Sequence, residues 1–108
     1  GSQQTIQTAT NLSLNTWYHA AFTTTYNGSS TVMKIYTNGV ETATGTFSGV
    51  QGEYAYKFMI GDGNNGSDGS STWYPFKGSI GKVSVYNRAL TVEEIKQNYN
   101  ATKGKFGY

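Results

Sequence analysis

Apolar and polar residues alternate along this chain in short runs, and the runs are separated by clusters of Asn, Gly and Ser. An alternation of period two marks strands with one face turned to a core. Trp17 to Tyr26 is aromatic and β-branched and reads as a strand. Asn27-Gly28-Ser29-Ser30 then reverses the chain. Thr31 to Thr37 and Val40 to Phe47 flank Asn38-Gly39. That dipeptide accepts positive φ at both central turn positions, so it predicts a tight hairpin. Further strands are predicted over Tyr54 to Ile60 and over Phe76 to Tyr86, with Pro75 at the entrance of the latter. Gln3 to Thr10 alternates weakly around Ile6 and reads as another. Asn11 to Thr16 is a turn, Ser48 to Glu53 a loop, and Gly61 to Tyr74 a long polar loop.

The periodicity changes only after Asn87-Arg88. Thr91 to about Ala101 reads as one helix, opened by a full start signal. Thr91 can cap it, and Glu94 three residues on can reach back to the cap's own N–H. Leu90 and Ile95 are spaced for a hydrophobic staple across that start. Many short strands with frequent turns, closed by one helix, favour an antiparallel sandwich over a βαβ fold.

At 108 residues there is room for one domain. Gly1-Ser2 reads as a cloning scar, leaving residues 3–108 for the fold. Charged residues make up 13% and aromatics 15%, a balance opposite to that of disordered chains. The core must therefore be thin and built on Tyr, Phe, Trp, Ile and Val. A formal charge of +2 with scattered Lys and Arg points away from a nucleic-acid partner. No apolar run has the length of a membrane span. The absence of cysteine removes disulfides, thiolate catalysis and cysteine metal sites together.

Four stretches carry a family resemblance: Trp17-Tyr18-His19-Ala20-Ala21-Phe22, Met33 to Val40 (MKIYTNGV), Phe58-Met59-Ile60-Gly61, and Gly78 to Leu90 (GSIGKVSVYNRAL). In this order they resemble the laminin-G-like, pentraxin-like and concanavalin-A-like jelly-roll superfamily. The resemblance covers most of the chain from Asn15 onward and implies an all-β, antiparallel jelly-roll β-sandwich, shortened, with one C-terminal helix. It places Trp17 in the core, beside Ile35, Tyr36, Phe58, Ile60, Val83, Val85, Tyr86 and Ile95. Members are usually longer, and this chain resembles their second half; it would be a minimal version, the C-terminal part of a longer domain, or a domain whose exposed faces another chain covers. The closing segment Gln97 to Gly107 resembles tails of such domains in phage and marine-virus structural proteins. That implies a virion, extracellular or cell-surface location.

The loop Gly61 to Gly69 is the foremost site candidate. Asp62, Asn64 and Asp68 have the spacing of an EF-hand start, and their oxygens suit a hard cation such as calcium. Trp73 stands where the bidentate glutamate belongs, and relatives often carry an acidic residue after the Ile of the last strand, where this chain has Gly81-Lys82. A turn-rich connection is the plainer account, and no cofactor is expected. Trp73 and Tyr74 beside Asp62, Asn64, Asn65 and Asp68 would also suit a sugar, with rings on its apolar face and amides and carboxylates on its hydroxyls. The competing account packs both rings into the sandwich edge.

Catalysis finds little support. His19 is the only histidine, so it is expected to be structural. Glycosidases on this fold need two carboxyl groups flanking the cleaved bond. The six here are Glu41, Glu53, Asp62, Asp68, Glu93 and Glu94, with no Glu-x-Asp-x-Glu run, and the last two open the helix. The four Asn-x-Ser/Thr sequons at Asn11, Asn27, Asn65 and Asn100 would matter only in a secreted eukaryotic protein. The expectation is a non-catalytic structural or adhesive module, with a calcium-assisted lectin as the alternative and a degenerate glycosidase or lyase behind both. Its partner would be a glycan or a neighbouring protein subunit. An uncovered strand edge would favour self-association.

Overall fold

The computed structural model describes residues 6–8, 11–49, 60 and 76–108. Two units divide the chain: residues 1–51 with 86–108, and residues 52–85.

The first unit is a three-stranded antiparallel sheet with a helix. β1 is Ala20–Tyr26, β2 is Ser30–Thr37 and β3 is Val40–Ser48, in sheet order β1-β2-β3. The register pairs Thr23 with Lys34 and Ile35 with Ala43, and a bulge interrupts the β2–β3 ladder between Ile35 and Tyr36. Both reversals follow from local chemistry. At β1–β2, Asn27 folds its side chain back so that Oδ1 accepts the N–H groups of Ser29 and Ser30, while Gly28 supplies φ 99°. At β2–β3, Asn38 and Gly39 both take positive φ, 50° and 80°, as a two-residue hairpin that follows the sheet twist requires.

The sheet has two faces. Ala21, Thr23, Thr25, Val32, Lys34 and Tyr36 share one, by the period of two and the cross-strand register. Phe22, Thr24, Tyr26, Met33, Ile35, Gly45 and Phe47 share the other. On that second face Ile6 lies so close over Gly45 that a Cβ there would stand 2.5 Å from its Cγ2.

The helix α1 spans Val92–Phe106. The expected start is present: Thr91 is extended, its Oγ1 accepts the Glu94 N–H, and the Glu94 carboxylate accepts the Thr91 N–H. The end lies five residues beyond the expected Ala101. Gly104 is tolerated inside the helix, and Gly107 closes it in the left-handed conformation at φ 72°, donating its N–H to Lys103 O. Glu93 and Glu94 in the first turn and Lys103 and Lys105 in the last match the helix dipole.

Among the described residues the buried apolar side chains are Tyr36 and Ile95, and the Thr31 side chain is buried as well. Gly39 is also buried, and a Cβ there would meet Lys96 Cγ at 3.3 Å and Tyr99 Cδ2 at 3.4 Å. The hairpin turn thus touches the helix across its one side-chain-free residue.

Several sequence expectations change. β1 begins at Ala20 and not at Trp17, because His19 spends its N–H on the Asn38 side chain. Trp17, expected in the core, is 40% exposed. Of the second unit, Ile60 and residues 76–85 are described, and none of them is in a strand. The expected strand over Phe76 to Tyr86 therefore has no ladder, and Ile60, Val83, Val85 and Tyr86 are exposed where core residues were expected. Alternation prepares a strand, but only a hydrogen-bonded neighbour makes one. Phe58 and the strand expected over Tyr54 to Ile60 lie outside the described residues, Ile60 apart.

Candidate functional site

The sequence-predicted site, Asp62, Asn64, Asn65, Asp68, Trp73 and Tyr74, lies outside the described residues. Three other features of the first unit carry chemistry.

The first is a cleft of about 260 Å³ on the helix-bearing face of the sheet. β1 contributes Thr23 and Thr25, and β2 contributes Val32, Lys34 and Tyr36. Ala89 to Val92, leading into α1, form the opposite wall. The lining alternates hydroxyl groups with short apolar side chains. The ammonium of Lys34 is held 3.2 Å from the Glu41 carboxylate across the β2–β3 ladder. Such a wall can meet hydroxyls or a neighbouring backbone.

The second is the helix entrance. Arg88 grips Glu94 with both arms, Nη1 donating to Oε1 at 2.8 Å and Nη2 to Oε2. The same Oε1 accepts the Thr91 N–H at 3.0 Å. The Arg88 hydrogen bonds, followed by that of the Thr91 backbone, pull the Glu94 carboxyl down to about 2. A glycosidase acid needs the opposite shift, a carboxyl raised towards neutrality. Glu94 is thereby committed to holding the helix start. Sequence reading placed Glu94 in the capping box but missed Arg88, six residues upstream, although the side chain is long enough to signal it.

The third is an aromatic cluster at the other end of α1. Trp17 meets Phe106 at 4.9 Å between ring centroids, and Tyr99 stacks on Tyr108 at 5.3 Å. The His19 ring stands 6.1 Å from Tyr99 and 6.0 Å from Tyr108. Thr102 Oγ1 and Tyr108 Oη share a hydrogen bond of 2.7 Å. Lys103 and Lys105 lie over the Tyr99 and Phe106 rings at 5.6 and 5.5 Å. Sequence reading stopped the helix at Ala101 and so left Phe106 and Tyr108 unassigned. The signal was present: Lys103 and Lys105 followed by Gly107 is a C-terminal signature.

A smaller cleft of about 220 Å³ lies beside Leu12, Tyr18, Asn38 and Thr42. Hydrogen bonds from Ser13 hold the Tyr18 phenol below its usual range, and its oxygen accepts the Ser13 N–H at 2.9 Å. Among the described residues no group of three His, Asp or Glu side chains could hold a metal ion. Among them, too, no helix is long and apolar enough to cross a membrane.

The chain belongs to a laminin-G-type family described as the concanavalin A-like lectin/glucanases superfamily, whose model matches residues 1–96. None of the curated proteins matches it. Among solved structures it is similar to residues 221–444 of an S-layer domain-containing protein from Clostridium thermocellum ATCC 27405. The identity is 22% and the TM-score 0.61, over 87% of this chain and 44% of that one. The likeness is one of fold, and the chain spans less than half the length of that structure.

Proposed function

We propose that this chain is a non-catalytic structural or adhesive module of an extracellular or cell-surface assembly, a virion among them, built on a shortened jelly-roll sandwich. The observation that carries the reading is the employment of its ionisable groups. Each carboxylate paired in the described residues serves the scaffold: Glu41 braces the hairpin and Glu94 the helix start. What remains on the surface is adhesive in character. Leu14, Trp17, Phe22 and Tyr26 are all exposed. The family membership and the S-layer neighbour's fold are consistent with that use, since a fold of this kind hosts many activities and only the surface decides among them.

A lectin is the second reading, favoured by the family's description. It assigns sugar binding to Asp62, Asn64, Asn65, Asp68, Trp73 and Tyr74, with calcium as the one cofactor it would recruit. One experiment separates these readings from catalysis and from each other. The purified chain is incubated with a panel of β-glucans and other oligosaccharides, and reducing ends and bound sugar are both followed, with its solution mass measured in parallel. The structural reading expects no release of reducing ends and association into a discrete oligomer. Saturable sugar binding lost in Trp73→Ala would move the assignment to the lectin. Reducing ends accumulating in proportion to protein would overturn both.

A further inference from the structure

The two outer strands of the sheet are not equivalent. β3 carries the charge of Glu41, faces a bulge in its ladder with β2, and has Ile6 laid over Gly45. Charges, bulges and covering segments are the devices by which proteins keep a sheet edge from pairing with a neighbour. Among the described residues β1 has none of them: Ala20-Ala21-Phe22-Thr23-Thr24-Thr25-Tyr26 holds no charge, no proline and no glycine, and its ladder with β2 runs without a bulge.

The hydrogen bonds at the two ends of the β1–β2 ladder fix which way each β1 residue turns its backbone. Asn38 donates to His19 O at 2.8 Å, and Asn27 donates to Ser30 O at 3.0 Å. Both belong to the register that pairs odd β1 residues with β2 in hydrogen-bonded fashion. Ala20, Phe22, Thr24 and Tyr26 therefore turn their N–H and C=O groups outward, away from β2. The same four residues place their side chains on the sheet face opposite the helix. Phe22 is 57% exposed and Tyr26 51%, and the Tyr26 hydroxyl is already anchored on Gly28 O at 2.9 Å.

We propose that the β1 edge is the self-association surface, pairing antiparallel with β1 of a second copy about a two-fold axis at Thr23. This deepens the assembly reading and rests on it. In that register Phe22 faces the partner's Thr24 and Ala20 faces the partner's Tyr26. Four outward pairs then exchange about eight ladder hydrogen bonds. Phe22 also lies diagonal to Phe22 and Tyr26 of the second copy, within reach of aromatic side chains. Four rings so line the seam, and the aromatic exposure of one copy is matched by that of the other. An isologous pairing of this kind closes at two copies and joins two three-stranded sheets into one. A second copy is favoured over an unrelated strand because this sequence is complementary to itself when reversed about Thr23: aromatic meets small or β-branched at every outward pair, and no charge needs a partner.

Two measurements test it. Light scattering at about 100 μM, above the dissociation constant of a standard-size interface, should give twice the 11.7 kDa chain mass. Thr24→Pro removes an outward N–H that β2 does not use, so it should leave the circular dichroism unchanged and weaken the dimer about 100-fold or more. If that variant does not fold, Thr24→Lys places two ammonium groups at the seam and should do the same. The cysteine-free chain permits the second measurement. Thr23→Cys stands opposite itself as a non-hydrogen-bonded pair about 4.5 Å apart between Cα atoms, within disulfide geometry. It should oxidise rapidly to a covalent dimer, whereas Thr25→Cys, facing the partner's Ala21, should not. A discrete oligomer in which Thr23→Cys and Thr25→Cys cross-link alike overturns the β1 seam and leaves the assembly reading standing. A chain that stays monomeric throughout overturns both.

Discussion

The helix and the sheet of the first unit are held by different kinds of force. α1 is secured at its ends by contacts within a few residues: the Thr91–Glu94 box and the Arg88 grip at its start, and the Gly107 cap at its close. Its tertiary anchor is narrow, for Ile95 is its one buried residue. The sheet has the reverse balance. Its turns are local, but Gly39 is buried against Lys96 and Tyr99, far along the chain. An element that satisfies its own termini can afford a slim interface. A three-stranded sheet cannot, since most of its stability comes from what packs on its faces.

The largest expected effect strikes the point where the two meet. Ile95→Ala should cost about 3 kcal/mol, the usual penalty for emptying a buried aliphatic site, read from denaturant midpoints at constant slope. A cost under about 1 kcal/mol would show that α1 is hardly docked at all. Gly39→Ala attacks the same junction from the sheet side. Its φ of 80° and the 3.3 Å approach of Lys96 Cγ together predict a loss of about 2 kcal/mol. Gly49→Ala, at φ 78° with open space around it, isolates the backbone share and should cost about half as much.

Thr91→Ala tests the local side of the comparison and should cost about 1 kcal/mol. Hydrogen exchange should speed up in the first turn of α1 while β2 amides keep their protection. Loss of protection in both would mean that helix and sheet open as one.

The Glu94 carboxyl supplies a pH test. Its folded value of about 2 lies below the ordinary 4.5. The helix-start bonds therefore stabilise the fold fully above about pH 4.5 and fade as pH falls through 2. The thermal midpoint should decline across that window, and Glu94→Gln should flatten the decline. A titration of Glu94 by carboxyl NMR with its midpoint near 4.5 would contradict the Arg88 grip. The smallest effect belongs to the sheet surface. Breaking the solvent-facing Lys34–Glu41 pair by Glu41→Gln should change stability by no more than about 0.5 kcal/mol, and less in high salt.

What sequence reading reached follows from how far along the chain each cause extends. The Asn38-Gly39 hairpin and the Thr91–Glu94 start depend on four or fewer consecutive residues, and both are present as expected. Each strand beside that hairpin is one residue longer than expected, at the end away from the turn. The family was legible because several such local motifs fall in a fixed order. The helix end was missed because Gly104 weakened the local signal; beyond it the Gly107 cap closes the helix, and Phe106 meets Trp17 across the fold.

The sequence alone determined the turns, the helix start and the membership of the family, because each is written in side-chain chemistry at short range. Only the tertiary structure decided that Trp17 is half-exposed against Phe106 and that Phe76 to Tyr86 forms no ladder in the described residues. It alone placed β1 as an outer strand of the described three-stranded sheet. Burial and strand pairing are relations between residues far apart in the chain. Alternation states which side chains share a face, but not what will lie against it.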